Sequence, residues 1–161
     1  MHPSVMDWVD EKVQQYGLRK TKTLEVGSRD YNGTVRRLFA NNYTGVDMED
    51  GPGVDIVARA DTLPFRDESF ETVVTTEMLE HDPYFWVSLP EMARVLKPGG
   101  YLLLTTRGIG FPYHEFPGDY WRFTGEAIRH LFGHANLETV EITDDPYPDH
   151  PGVFGLARKE S

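Results

Sequence analysis

A short apolar run, Leu24-Glu25-Val26, leads into Gly27-Ser28-Arg29-Asp30-Tyr31-Asn32-Gly33. With no side chain at Gly27, a ligand could lie against the backbone at the carboxyl end of a strand. Glu25 stands where a carboxylate could hold a cationic ammonium group. About twenty residues on, Val46-Asp47-Met48 supplies a second carboxylate, at the spacing where nucleotide-binding folds set the acid that grips ribose hydroxyls. An ionised carboxylate accepts two hydrogen bonds and so suits a vicinal diol. A third stretch, Ala60-Asp61-Thr62-Leu63-Pro64-Phe65, offers Asp61 to an exocyclic amine and Leu63 to the face of a purine. Each stretch alone also reads as an ordinary turn or a solvated acidic loop. His81 can titrate near neutrality, and the segment 107–123 gathers Tyr113, His114, Glu115, Asp119, Tyr120 and Arg122.

These groups need a scaffold, and the chain supplies it as apolar runs alternating with helical patterns, the signature of βαβ units around a mostly parallel sheet. Residues 1–17 read as a helix, with Ser4 as its cap and Val5, Trp8, Val9, Val13 and Tyr16 on one face. Strands are expected at 23–26, 43–47, 54–57, 72–76 and 101–106. Thr34 to Ala40 reads as a short helix. Only residues 48–53 separate the second and third strands, so the crossover helix there is reduced or missing. Ser88-Leu89-Pro90-Glu91 has capping-box spacing, and Lys97-Pro98-Gly99-Gly100 ends the helix it would open. Thr124 caps a last helix ending at Gly133, and 137–143 with 153–157 form an antiparallel pair. The expected fold is α/β, a Rossmann-like, doubly wound, seven-stranded sheet in a single domain over 1–161.

Composition narrows the function. The 161 residues carry a net charge of −10 and no cysteine. That charge repels polyanions, so nucleic acid is an unlikely partner and a small-molecule or protein substrate is favoured; of these two, a small-molecule acceptor is the expectation. No run is long enough to span a membrane, and the N-terminus lacks the features of a secretory signal. A cytoplasmic location is the expectation. Thiolate metal sites and cysteine nucleophiles are excluded. His130 and His134 have helical ligand spacing but no third partner nearby, so no metal is expected.

Together the stretches resemble the class I S-adenosylmethionine-dependent methyltransferases, in particular the small methyltransferase-domain kind, from Leu24 to about Phe132. The resemblance rests on Leu24-Glu25-Val26-Gly27, Gly45-Val46-Asp47, Asp61-Thr62-Leu63-Pro64-Phe65 with Asp67-Glu68-Ser69-Phe70-Glu71, Leu79-Glu80-His81, and Arg94-Val95-Leu96-Lys97-Pro98-Gly99-Gly100. It implies S-adenosylmethionine as cofactor and S-adenosylhomocysteine as product. Glu25, Gly27 and Ser28 would border the methionine end, Asp47 the ribose and Met48 the adenine. Asp61, Thr62 and Leu63 would meet the adenine edge, and Glu77 and Met78 would wall the methyl group. The segment 107–123 follows the fifth strand, where the family commonly binds its acceptor, which makes Tyr113, His114 and Arg122 candidate acceptor contacts. One departure stands out: Ser28 and Arg29 follow Gly27 where the family often has a second glycine.

The implied reaction is methyl transfer by in-line displacement to a small polar acceptor, such as a hydroxyl. A base would help such an acceptor, and His81, His114 and Tyr120 are the candidates. A catalytically silent cofactor-binding module, serving as a partner or regulatory subunit, is the alternative. A nicotinamide oxidoreductase is disfavoured by the lack of G-x-G-x-x-G. The acceptor and the oligomeric state are not legible.

Overall fold

The computed structural model describes residues 1–115 and 118–161. Seven strands form one sheet: β1 Thr23–Val26, β2 Tyr43–Asp47, β3 Ile56–Val57, β4 Phe70–Thr76, β5 Leu96–Arg107, β6 Leu137–Asp144 and β7 Gly152–Lys159. Among the described residues three α-helices accompany them: α1 Pro3–Gln15, α2 Phe85–Val95 and α3 Gly125–His134. The strand order is β3-β2-β1-β4-β5-β7-β6. Neighbours from β3 through β5 pair in parallel, and β7 runs antiparallel to both β5 and β6. The order reverses between β1 and β4, and the crevice at the carboxyl ends there is where open α/β sheets bind ligands.

The sheet is covered on both faces because its central strands alternate apolar side chains between two cores. On β4, Val73 joins one core and Val74 the other; on β5, Leu102 and Leu104 face away from Leu103. One core packs α2 through Leu89 and Met92 and α3 through Ile128 and Phe132. The other packs α1 through Val5, Trp8, Val9 and Val13. Side chains buried to this degree each contribute about 1.5–3 kcal/mol.

Several helix starts differ from the sequence reading, each for a tertiary reason. Ser4 is not a cap: α1 begins at Pro3, whose fixed φ suits the first turn, and the buried Ser4 hydroxyl donates to Asp145 at 2.9 Å. Ser88 lies inside α2, donating to Asp82, while Glu91 accepts from the Leu63 N–H at 2.9 Å. Pro90 is therefore an interior residue of α2 that withholds one helical bond. Thr34 to Ala40 is not an α-helix but holds a single 3-10 turn, Arg36–Leu38, with Val35 and Phe39 buried. Gly133 does not end α3, which continues to His134; Asn136, at φ 58°, makes the turn. Thr124 does cap α3, accepting from the Ala127 N–H. As expected, no α-helix joins β2 to β3.

Candidate active site

A cavity of about 790 Å³ opens at the carboxyl ends of β1, β2, β4 and β5. Its first wall is the turn after β1. Gly27 has φ +80°, and a Cβ there would lie 2.6 Å from Met78 Cγ, so neither the conformation nor the space admits a side chain. The Gly27 and Ser28 N–H groups both donate to the Val46 carbonyl, tying this turn to β2. Ser28 lines the cavity, while its Oγ is buried against Gly45 of β2 and has no hydrogen-bond partner.

Asp47, at the tip of β2, accepts from the N–H groups of Arg29 and Glu49, each at 3.1 Å. Those bonds orient its carboxylate and still leave lone pairs, because two carboxylate oxygens have about four acceptor sites. Glu25 lies deeper, 3% exposed, and its Oε2 accepts from Tyr43 O–H at 2.6 Å. Burial pushes its carboxyl up to about 8, against the opposing effect of the Tyr43 bond. Glu25 therefore holds its proton at neutral pH in the absence of a cation. Asp61 lines the cavity with both oxygens engaged by Arg59, at 3.0 and 2.8 Å. The Arg59 bonds hold the Asp61 carboxyl below its usual range.

The opposite wall comes from the ends of β4 and β5. Glu77 adopts φ 55°, an unusual backbone for a residue with a side chain, fixed by its N–H bond to the Thr105 carbonyl. Its carboxylate accepts from Thr105 Oγ1 at 2.8 Å and Arg107 Nη2 at 2.9 Å, and pairs with Arg107 Nε. Arg107 is 1% exposed and also donates to the His150 carbonyl at 2.8 Å while facing Asp145 at 3.4 Å. Burial would raise the Asp145 carboxyl, but bonds from Tyr147, Ser4 and His150 and the nearby Arg107 hold it below its usual range. This buried cluster immobilises the cavity floor.

Beside it runs the 3-10 turn Leu79–His81. Burial and the Glu77 charge raise the Glu80 carboxyl, one oxygen of which accepts from Thr106 O–H at 2.7 Å. His81 Nδ1 bonds the Gly118 carbonyl. A carbonyl only accepts, so Nδ1 carries the proton and Nε2 is the basic nitrogen. The nearest carboxylate oxygen to Nε2, on Glu80, is 3.9 Å away and so outside hydrogen-bond range.

Of the residues singled out in the sequence, Glu25, Gly27, Ser28, Asp47, Met48, Asp61, Glu77, Met78, His81 and His114 all line this cavity. Thr62, Leu63, Tyr113, Tyr120 and Arg122 do not. Leu63 is buried in the core, and Thr62 donates to Asp61. Tyr113 and Tyr120 are exposed. Arg122 braces its own loop, donating to the Phe111 and Pro112 carbonyls and pairing with Asp119. Within that loop Phe116 and Pro117 lie outside the described residues. His2, Glu80, Arg107 and Phe111 also line the cavity without having been singled out. A charge at the tip of an apolar strand was the available signal for Arg107; His2 gave none. Among the described residues no group of three or more ligating side chains could hold a metal.

The family model described as a methyltransferase domain matches residues 24–104, just over half of the chain. The chain belongs to this family. It is a class I methyltransferase domain, and its cofactor is S-adenosylmethionine. Among curated relatives, phthiotriol/phenolphthiotriol dimycocerosates methyltransferase 1 of Mycobacterium ulcerans is 42% identical over 109 residues, covering 60% of this chain and 39% of that protein. The fatty-acid O-methyltransferase of Mycolicibacterium smegmatis is 35% identical over 100 residues, covering 52% and 36%. The matched part of the methyltransferase domain thus spans about two-fifths of these relatives. In fold it is similar to the Burkholderia thailandensis 1,6-didemethyltoxoflavin-N1-methyltransferase, with TM-score 0.81, 17% identity, and coverage of 98% of this chain and 79% of the other. That enzyme's structure contains S-adenosylhomocysteine. The residues here fit such a ligand, with a turn too tight for a Cβ and an oriented carboxylate around one cavity. No helix among the described residues is long and apolar enough to cross a membrane.

Proposed function

We propose that this domain methylates an oxygen atom of an acceptor that enters beside His81 and His114. The observation carrying this reading is the meeting, in one cavity, of the Gly27–Ser28 turn, Asp47, the Glu77–Met78 wall and the basic nitrogen of His81. The fatty-acid O-methyltransferase among the relatives supports an oxygen acceptor.

Gly27 gives backbone access, Ser28 and Glu25 bind the amino-acid end, Asp47 binds the ribose hydroxyls, and Met48 covers the adenine. S-adenosylmethionine held by these residues would supply a sulfonium methyl for in-line transfer to the acceptor oxygen, the C–O bond forming as the C–S bond breaks and S-adenosylhomocysteine departing with the electron pair. With a hydroxyl acceptor, His81 Nε2 takes the O–H proton as the C–O bond forms, and the Gly118 carbonyl stabilises the resulting imidazolium through Nδ1–H; a carboxylate acceptor is already ionised at neutral pH and needs no base. Glu77 is not assigned this role, since its carboxylate is paired with Arg107 and accepts from Thr105. It instead fixes the cavity wall, and catalysis here is largely alignment.

The test is formation of S-adenosylhomocysteine with a panel of hydroxyl and carboxyl acceptors. Expected with hydroxyl acceptors is turnover that falls about 10²–10⁴-fold in His81→Ala, with little change for carboxylate acceptors and in cofactor affinity. Cofactor binding with no turnover on any acceptor would leave the silent binding module as the correct reading. Undiminished turnover of hydroxyl acceptors in the variant would remove His81 from the mechanism.

A further inference from the structure

We propose that the acceptor is an amphiphile whose apolar tail lies on an aromatic ridge at the cavity mouth, formed by Tyr84, Trp86 and Trp121. The proposal rests on the oxygen-methylation reading and adds the class of acceptor.

The three rings are 48%, 44% and 36% exposed, unusual for residues of this size. They stand in a row, with Tyr84 to Trp86 at 6.0 Å and Trp86 to Trp121 at 6.2 Å between centroids, both near edge-to-face. Phe85 backs the row from beneath, touching Trp86, Trp121 and Phe123 at 5.0–5.2 Å. The ridge is held in place rather than loosely exposed. Trp121 Nε1 donates to the Asp82 carbonyl at 2.9 Å, and the Tyr120 and Trp121 N–H groups both donate to the Glu80 carbonyl. Trp121 is thereby fixed to the same turn that carries His81.

The ridge meets the cavity at Tyr84, which lines the cavity. Polarity divides along this path. Inside are His81, His114, Glu80 and Arg107; outside are the exposed faces of Trp86 and Trp121 and Val87, itself 43% exposed, with the Arg59 guanidinium over the Tyr84 ring at the boundary. A ligand with a polar head and an apolar body matches that division.

The size of the ridge also selects among occupants. Aromatic side chains present about 150–250 Å² each, so these exposed fractions amount to roughly 300 Å². A stable protein interface buries about 800 Å² per partner. The ridge is too small for a second copy of the chain but ample for an acyl or alkyl chain one molecule wide. Small apolar patches of this kind are often functional.

The experiment uses tryptophan emission. The chain has three tryptophans, and Trp8 is buried in the α1 core, so Trp86 and Trp121 report on the ridge. Straight-chain fatty acids and 1-alkanols of six to twelve carbons, kept below their aggregation concentrations, are titrated with S-adenosylhomocysteine present. A fully buried methylene gains about four-fold in affinity, so one covered on a single side should gain about two-fold. Expected is a blue shift in emission and an affinity rising about two-fold per methylene, with the slope flattened in Trp86→Ala, where Trp121 still reports. S-adenosylhomocysteine affinity checks that the variant is folded, and the variant spares the Trp121 bond to Asp82. An affinity independent of chain length, or the same slope in wild type and the variant, overturns the ridge as a tail site. So would binding to phosphatidylcholine vesicles without binding to monomeric chains, or concentration-dependent dimerisation that the substitution abolishes. Each of these leaves the methylation reading standing. Failure of the wild type to bind S-adenosylhomocysteine would sink that reading instead.

Discussion

Glu25→Gln should make the domain more stable as pH rises from 5 to 7, relative to wild type. The wild-type carboxyl is pushed from the ordinary 4.5 up to about 8, and each decade of proton activity corresponds to about 1.4 kcal/mol. Below about pH 4.5 the side chain is protonated in both folded and unfolded chains and exacts no penalty. Between about 4.5 and 8 the unfolded chain releases its proton while the folded one retains it, so stability falls with rising pH. Across two pH units the loss is about 3 kcal/mol. Glutamine keeps an oxygen for Tyr43 O–H and cannot ionise, so this loss disappears. The acids held below their usual range, such as Asp145 and Asp61, lose their stabilisation as pH falls, but they are present in both proteins and cancel in the difference. Urea unfolding at pH 5, 6 and 7 measures that difference directly. A gap between variant and wild type that stays constant with pH would refute the buried, protonated state of Glu25. The same state has a binding consequence. If the cofactor ammonium meets Glu25, binding expels the proton, and wild-type affinity should climb up to ten-fold per pH unit toward pH 8, with the expelled proton seen by calorimetry in buffers of different ionisation enthalpy. Glu25→Gln should flatten that climb.

Gly27→Ala forces a side chain into a positive φ and against Met78; about 1–3 kcal/mol of stability should be lost, together with cofactor affinity, and thermal unfolding with and without S-adenosylhomocysteine reads both. Arg107→Met leaves the buried Asp145 and the partly buried Glu77 without their shared cation, and denaturant titration should show a loss of about 3–5 kcal/mol. Arg122→Gln removes the brace that holds the Phe111 and Pro112 carbonyls to Asp119. Its cost in global stability should stay within about 1 kcal/mol, because the pair is only partly buried. Amide exchange and proteolysis within 109–122 should nevertheless accelerate, while cofactor affinity holds.

The strand pattern was legible because apolar runs bounded by turns leave little choice, and the missing helix between β2 and β3 followed from chain length alone. Capping was misread where a distant partner took over the side chain. Ser4 looks like a cap until Asp145, from the far end of the chain, claims its hydroxyl. The gathering of Gly27, Asp47 and Asp61 at one cavity was legible because they follow strands at spacings that the fold dictates. The protonated state of Glu25 was not, since it depends on parallel β1–β2 pairing that brings Tyr43 O–H to its carboxyl. The Arg107 cluster was illegible for a similar reason. It draws on residues 77, 107, 145 and 150, which only the closed sheet assembles.

The sheet's two margins are closed to further growth by different means. β3 contributes only Ile56 and Val57 to the pairing, too short a template for an incoming chain to register against. β6 is long, but Glu138, Glu141 and Asp144 line it and a register shift between Thr139 and Glu141 bends it. Fibril-like stacking is thus discouraged by brevity on one flank and by charge and curvature on the other.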